Sequence, residues 1–330
     1  MQLFIFVCVI SSILAESDSE WEMFKKKYNR TYNNDEYEAI HREVFISNKK
    51  AIDEHNAKYE KGLMTYSLKI NHFADFTPDE IKALFGKSSM EVIDKRWGLR
   101  AKRNVANESI DELVPDYVDW VKKGAVTPIK DQGLCGSCYI FSSLAALESQ
   151  LFLKRGKLVS LSAQNFLDCA KKGYEYNENP CLGGSPLTVF DFIENNRGLA
   201  TESSYPYEEK VNNCTQEKIE HFKITRGNFV PPNSIKWSIF KNGPVITAYD
   251  ATQFSYLFYS SGIYEDPACN STDINHASVL VGFGTEERYN YWLVKNSWGT
   301  DWGEDGYARI AMNERDFCGI QQFTLAVIAH

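Results

Sequence analysis

From Asp131 to Tyr139 the chain reads Asp-Gln-Gly-Leu-Cys-Gly-Ser-Cys-Tyr, and a largely apolar run carries on from Ser137 to Lys154, ended by Gly156. A run that is apolar on every side predicts a long buried helix, and the glycine predicts its left-handed C-cap. Any fold for this chain has to enclose that helix, and its first turn carries Cys138. A helix N-terminus holds about half a positive charge and unpaired N–H groups. A thiolate there is stabilised, its pKa falls, and the sulfur becomes a usable nucleophile near neutral or mildly acidic pH.

The 330 residues are length for about two domains, each large enough to bury a core. An apolar fraction of 43% argues for a globular chain. A net charge of −8 with no basic stripe makes nucleic acid an unsuitable partner. Leu3 to Leu14 is an apolar run followed by Ala15-Glu16, too short to span a bilayer comfortably. It reads as a secretory signal peptide cleaved after Ala15, although Gln2 stands where a basic n-region is usual. A buried N-terminal strand or helix is the competing reading. No other stretch approaches membrane-spanning length.

Of the eight cysteines, Cys8 lies in the leader, so an odd number remains. An odd count in a secreted chain leaves one thiol reactive or intermolecular. Cys138 is that thiol, and the other six, Cys135, Cys169, Cys181, Cys214, Cys269 and Cys318, suit three bridges in an oxidising compartment. Their pairing is open at this point. Sequons at Asn29, Asn107, Asn213 and Asn270 agree with a secretory route.

Residues 16 to about 103 are charged and helical in pattern. Trp21, Phe24 and Tyr28 recur at helical spacing, and Phe45, Asn48, Ile52 and Asn56 do so on a second helix. Asn71 to Thr77 predicts a strand running into a helix that begins near Pro78. The basic stretch Lys95–Asn104 and the acidic Asn107–Val114 have linker composition and mark a cut region. Further on, Leu161–Cys169 and Leu187–Asn196 read as helices. Ile224–Val230, Val245–Ala248, Ala277–Phe283, Tyr291–Asn296 and Tyr307–Ala311 read as strands. Helices first and strands later predict two sub-domains with a groove between them.

Amide hydrolysis by a thiol needs a nucleophile, a proton carrier, a group that orients the carrier and donors for the oxyanion. Cys138 is the candidate nucleophile; half of a disulfide is the alternative fate of such a residue. His276, where a loop enters an apolar strand, is the candidate proton carrier. Asn296, in Lys-Asn-Ser-Trp-Gly, suits the orienting role, since an amide oxygen that accepts from one imidazole nitrogen fixes the tautomer. Trp298 suits a cover over that contact, and Gln132 suits an oxyanion donor beside the backbone N–H of Cys138. Cys135 to Cys138 is also a C-x-x-C, but no βαβ pattern surrounds it, which argues against a disulfide oxidoreductase. No second ligand pair supports a zinc site.

In their order, Pro115–Trp120, Gly124–Pro128, the Cys138 segment, Cys181-Leu182-Gly183-Gly184, the His276 segment and Asn296–Gly299 resemble the papain family of cysteine peptidases, cathepsin L-like. Phe45, Asn48, Ile52 and Asn56, with Asn71, Phe73 and Asp75, resemble that family's inhibitory propeptide. His41 stands where its arginine belongs, and Lys69 replaces a leading glycine. The resemblance implies an α+β fold of a helical left domain and a β-barrel-like right domain, with an α-helical propeptide. It implies a signal peptide over 1–15, a propeptide over 16–107 and a peptidase domain over 108–330.

It further implies Cys138, His276 and Asn296 as the catalytic set with Gln132 in the oxyanion hole. Gly183 and Gly184 would be the backbone strip that pairs with an extended substrate, and Trp298 and Trp302 would line the leaving-group side. Pro186, Ile274, Ala277 and Phe323 would line a shallow main specificity pocket that favours Val, Pro or Leu over Phe. Tyr139 replaces the usual tryptophan. The implied bridges are Cys135–Cys181, Cys169–Cys214 and Cys269–Cys318. No metal and no cofactor are implied. Expected partners are protein and peptide substrates, the chain's own propeptide and cystatin-type inhibitors. The expected state is a monomer, in a lysosome or outside the cell. A catalytically inactive binding protein on the same fold is the alternative, although all four active positions are filled. Activation is expected to follow acid, through propeptide ion pairs such as that of Asp75.

Overall fold

Helix α1 (18–27) lays Trp21 and Phe24 against Phe45 of helix α2 (Asp35–Tyr59), with Trp21–Phe45 centroids 5.4 Å apart and Phe24–Phe45 4.8 Å. Asn34 caps α2 by accepting from the Tyr37 N–H, and three acidic residues follow in the first turn, where the helix dipole favours them. The molecule is represented by a computed structural model that describes residues 18–85, 114–170, 179–215, 219–225, 228–313 and 315–329. The signal peptide, the linker, the sequon at Asn107 and the boundary near 107 lie outside the described residues. Among those described, no helix is long and apolar enough to cross a membrane.

After α2 the chain forms β1 (Tyr66–Leu68) and then helix α3 (Pro78–Phe85). The strand expected over Asn71–Thr77 is instead a turn. The buried Asn71 side chain accepts from the Phe73 N–H (2.9 Å) and donates to the Leu257 carbonyl (2.7 Å), so this segment docks through side chain–backbone bonds and not through a ladder. Thr77 and Glu80 exchange bonds at the start of α3, a capping box.

The second half is built on α4 (Cys138–Arg155). From Cys138 to Leu151 every side chain but Ala145 is buried, and Gly156 closes the helix at φ +68°. Around it pack α5 (Ala163–Cys169) and α6 (Pro186–Asn196), the latter started by Ser185 and a first-position proline. The strands are β2 (Val118–Asp119), β3 (Gly198–Ala200), β4 (Ile219–His221), β5 (Ile224–Thr225), β6 (Val245–Tyr249), β7 (Tyr259–Tyr264), β8 (His276–Glu286), β9 (Tyr289–Lys295), β10 (Tyr307–Ala311), β11 (Phe323–Leu325) and β12 (Ile328–Ala329). The strand expected over Ile224–Val230 is shorter: β5 pairs β12, and Phe229 makes a lone bridge to Leu325.

An eight-stranded sheet runs in the order β1-β7-β10-β9-β8-β6-β11, with β2 on β8. α4 packs on it, so that Ile246, Val279, Val281 and Leu325 share a core with Ile140, Leu144, Leu147 and Phe190. Cys135–Cys181 and Cys169–Cys214 close loops in the helical half, and Cys269–Cys318 closes one in the sheet half. Each such closure stabilises by about 2–4 kcal/mol. The sequons at Asn29, Asn213 and Asn270 are exposed.

β1 joins the edge of β7 in antiparallel register, Tyr66 opposite Gly262, with the Ile263 N–H donating to the Thr65 carbonyl (2.9 Å). Gly262 has φ +94°, and a Cβ there would collide with the Thr65 carbonyl. Gly262→Ala strains the sheet in any state, but the collision exists only while β1 is docked. It should therefore lower the stability of the uncut chain by about 1 kcal/mol or more beyond its effect on the chain cut between α3 and β2, read from the two melting curves. Equal shifts in both would show that this strand pair adds nothing to docking.

Candidate active site

Cys138 opens α4 as the one free thiol among the described residues. Ser137, the residue before it, gives the helix no side-chain cap; its hydroxyl is engaged with Tyr207 (2.9 Å) and the Cys135 carbonyl (3.3 Å). The first N–H groups of α4 are thus not blocked by a cap. The adjacent Cys135–Cys181 bridge fixes the preceding loop against the Gly183-Gly184 turn. Gly183 has φ +98°, and the Tyr139 ring lies so close beneath Gly184 that a Cβ would overlap it. The tyrosine hydroxyl donates to the Pro180 carbonyl (3.1 Å).

The second wall comes from the sheet. β6, β8 and β9 are neighbours, His276 opens β8, and Asn296 follows β9 directly. His276 Nε2 and Asn296 Oδ1 lie 2.8 Å apart, and Oδ1 also accepts from the Ser297 N–H (2.8 Å). An amide oxygen can only accept, so the imidazole proton sits on Nε2. His276 Nδ1 is buried and makes no hydrogen bond. Trp298 covers the pair, its ring 4.7 Å from the imidazole.

Cys138, His276, Gly183, Gly184, Pro186, Ile274, Ala277 and Phe323 line one pocket together with Tyr139, Ala248, Asn275 and Phe85. Trp302 does not reach it. It is buried behind Trp298 (5.2 Å, edge to face) and donates to the Tyr256 carbonyl (3.1 Å), because the aromatic cluster of Tyr256 and Tyr259 encloses it. In the uncut chain Trp302 is thus a fully buried residue behind Trp298.

Gln132 is fully buried. Its Oε1 accepts from the Ser297 hydroxyl (2.7 Å), which turns its amide nitrogen toward the Cys135 carbonyl (3.1 Å) and the Leu84 carbonyl (3.4 Å). Leu84 and Phe85 end α3, so an N-terminal segment carries its own carbonyl and an aromatic ring into the pocket. Phe85 stands edge to face with both His276 and Trp298, at 6.1 Å each. Phe85, Ala248 and Ser297 escape sequence reasoning: no local pattern sets Phe85 apart from other apolar helix ends, and Ser297 acts through a residue far away in the chain.

Under this cover the two reactive groups are driven toward their neutral forms. Burial pushes the Cys138 thiol up to about 11, against the opposing pull of the Ala277 and Tyr139 N–H groups and its own. Burial pushes His276 down to about 4, with Asn296 opposing. The helix N-terminus alone predicted a lowered thiol; desolvation outweighs it here. The expected ion pair of Asp75 forms, with Arg30, but the direction of its acid dependence is the reverse of the expectation. Burial raises this carboxyl despite Arg30 (3.2 Å) and the Tyr32 hydroxyl (2.8 Å). A carboxyl raised in the folded state is favoured by acid, so its protonation does not loosen the segment. The contrary sign is found at Asp301. There burial is outweighed by the Tyr28 hydroxyl and the Lys27 ammonium (2.9 Å), which hold the carboxyl below its ordinary value.

Residues 114–328 match the family profile described as papain family cysteine protease, and residues 21–81 match the cathepsin propeptide inhibitor domain. A cathepsin L-like peptidase of Aedes aegypti is 40% identical over 308 residues, covering 91% of this chain and 90% of that protein. Digestive cysteine proteinase 1 of Homarus americanus is 40% identical over 316 residues, covering 93% and 94%. The solved structure of digestive procathepsin L 3 from the Tenebrio molitor larval midgut superposes with a TM-score of 0.80 at 34% identity, over 94% of this chain and 99% of that one.

Phe85→Ala should expose the thiol in the uncut chain. Alkylation of Cys138 by iodoacetamide at neutral pH, followed by mass spectrometry, should speed up at least about tenfold. That needs only about 1.4 kcal/mol of the roughly 3–5 kcal/mol that truncating a buried phenylalanine costs. An unchanged rate would mean that Phe85 is not what shields the sulfur.

Proposed function

The chain belongs to the papain family of cysteine proteases and carries that family's inhibitor propeptide, and from this premise we propose a cysteine endopeptidase held as a zymogen until acid releases its propeptide. Cys138 is the nucleophile. Its proton passes to His276 Nδ1, and the thiolate attacks the scissile carbonyl carbon. The oxyanion that forms takes hydrogen bonds from Gln132 Nε2 and the Cys138 N–H. The imidazolium then protonates the leaving amine as the C–N bond breaks, leaving a thioester. Water, deprotonated by His276, hydrolyses the thioester and frees the thiol.

One observation carries this reading. The Leu84 carbonyl accepts from Gln132 Nε2 (3.4 Å), which supports a role for that amide as donor to a substrate oxygen, and His276 and Cys138 line one pocket beside it. Gly183 and Gly184 leave room for an extended backbone, the mode of strand addition. Phe323, packed with Ala248, Ile274 and Ala277, supports a shallow pocket that prefers Val, Pro or Leu to Phe at the second substrate position. The propeptide spans 16–107 and the peptidase domain 108–330 on this reading, with cystatin-type proteins as further inhibitors of a monomeric enzyme. The secretory route ends in a lysosome or outside the cell.

The acid dependence follows from signs. His276 has a docked pKa near 4 against an ordinary 6.5. Phe85 of the docked segment adds to the burial that disfavours the imidazolium, so docking weakens as pH falls toward 4. Asp301, lowered through its propeptide partners, adds a loss of the same sign at the acid end.

Incubated at about pH 4–5, the full chain should lose its N-terminal segment, hydrolyse peptides with Val or Leu preferred over Phe, and take one equivalent of a thiol-directed epoxide at Cys138. Gln132→Ala should lower kcat by about 100- to 1,000-fold. Labelling elsewhere, or none after processing, would leave the inactive binding protein as the reading. Processing should run faster at pH 4.5 than at pH 7.5, followed by gel densitometry; equal rates would remove the acid trigger.

A further inference from the structure

Behind the His276–Asn296 contact lies a row of buried hydroxyls that the reaction as written does not use. The Ser278 hydroxyl is 3.4 Å from Asn296 Oδ1, the Tyr249 hydroxyl is 3.0 Å from Ser278 Oγ, and the Tyr256 hydroxyl is 2.5 Å from that of Tyr249. All three side chains are buried. Pairing of β6 with β8 sets Tyr249 opposite His276, with the rings edge to face at 5.8 Å, and Ser278 follows two residues along on the same face.

Either oxygen of the Tyr256–Tyr249 and Tyr249–Ser278 pairs can donate when taken alone, and the direction of the row is the one set by a Ser278 proton directed at Asn296. Asn296 Oδ1 can only accept, so Ser278 gives it its single proton. Tyr249 must then donate to Ser278, and Tyr256 to Tyr249. Burial raises both phenols from their ordinary value, so they remain O–H donors wherever the enzyme works. Three O–H dipoles thus point their positive ends at the amide oxygen that also holds the imidazole.

We propose that Tyr256, Tyr249 and Ser278 are positioning residues that lock the Asn296 amide and make the His276 imidazolium a stronger acid toward the leaving amine. With three donors on Oδ1, turning the amide over would set N–H against N–H and O–H. Those donors also compete with the imidazolium for the oxygen and oppose its charge. The inference rests on the roles given above to Cys138 and His276. Other charged groups nearby point elsewhere. Lys130, Lys295 and Glu148 line a small cavity beside Ser278 and Asn296, but their bonds run to Thr127, to Leu161 and, between Lys130 and Glu148, to one another. Asp250, next to Tyr249, bonds Thr252, Gln253, Asn270 and Asn275. Cys138 shares the pocket on the open side of the ring.

The test uses the full chain, processed in acid, as wild type, Ser278→Ala, Tyr249→Phe and Ser278→Thr. The pH dependence of Cys138 alkylation by iodoacetamide is measured beside kcat and KM on a peptide amide. The higher of the two apparent pKa values of the Cys138–His276 pair should rise in Ser278→Ala and Tyr249→Phe by roughly half a unit, about a threefold gain in proton affinity. In Ser278→Thr, which keeps the hydroxyl, it should stay put. kcat should fall severalfold in the first two, with KM little changed. An unmoved or lowered pKa in both removal variants, or a rise shared by Ser278→Thr, overturns the proposal. If Ser278→Ala does not fold, Tyr249→Phe, which loses one oxygen, decides alone. If no variant cleaves peptide while the alkylation profiles shift as expected, the relay stands and the hydrolytic reading falls.

Discussion

A single carboxylate, 1% exposed, joins the two halves of the molecule. Glu148, in the middle of α4, accepts from the Thr127 hydroxyl (2.5 Å), the Lys130 ammonium (3.0 Å) and the Leu161 N–H (2.7 Å). Thr127 in turn accepts from Lys295 (2.8 and 2.9 Å), the last residue of β9 and the one before Asn296. The strand end that positions Asn296 is thus tied to the helix that begins with Cys138. Burial lowers Lys295 to about 8, so this ammonium is costly to keep. A buried charge is tolerated only when its partners are complete, and removing one of them typically costs about 3–5 kcal/mol. Cys138 and His276 come from different halves, and this knot ties those halves together.

The N-terminal segment acts on that site by two physical means. It occupies space, with Leu84 and Phe85 against Gln132, His276 and Trp298. It also removes water, which drives thiol and imidazole toward their uncharged forms. On the mechanism proposed above, the second effect would make the cover sensitive to protons without a dedicated switch, because the imidazole that catalysis would charge is the one that docking keeps neutral.

The placement of the candidate site residues was legible because each sits in a local pattern with its own chemistry: a thiol at a helix start, a histidine at a strand mouth, an asparagine before Ser-Trp-Gly. The buried helix was legible from composition, and the free thiol from odd-count arithmetic. What could not be read depends on neighbours distant in sequence. Asn71 makes a turn because Leu257 offers a carbonyl. Trp302 is enclosed by Tyr256 and Tyr259. Asp75 is raised because desolvation exceeds the help of Arg30 and Tyr32, a balance of magnitudes that no spacing reveals. The bridges among the six half-cystines came from resemblance and not from the residues themselves.

The union of β1 with β7 has a consequence for the enzyme once it is free. When the N-terminal segment departs, the main-chain groups of the sheet's outer rim that it bonds, the Phe258 carbonyl and the Ile263 N–H among them, face water without those partners. Such a rim invites a stranger's strand. Gly262, twisted to φ +94°, breaks the regular spacing that an arbitrary guest would need, and it tolerates the one segment shaped to its kink. The same residue that lets the cover sit therefore helps to keep the liberated molecules from stacking on one another.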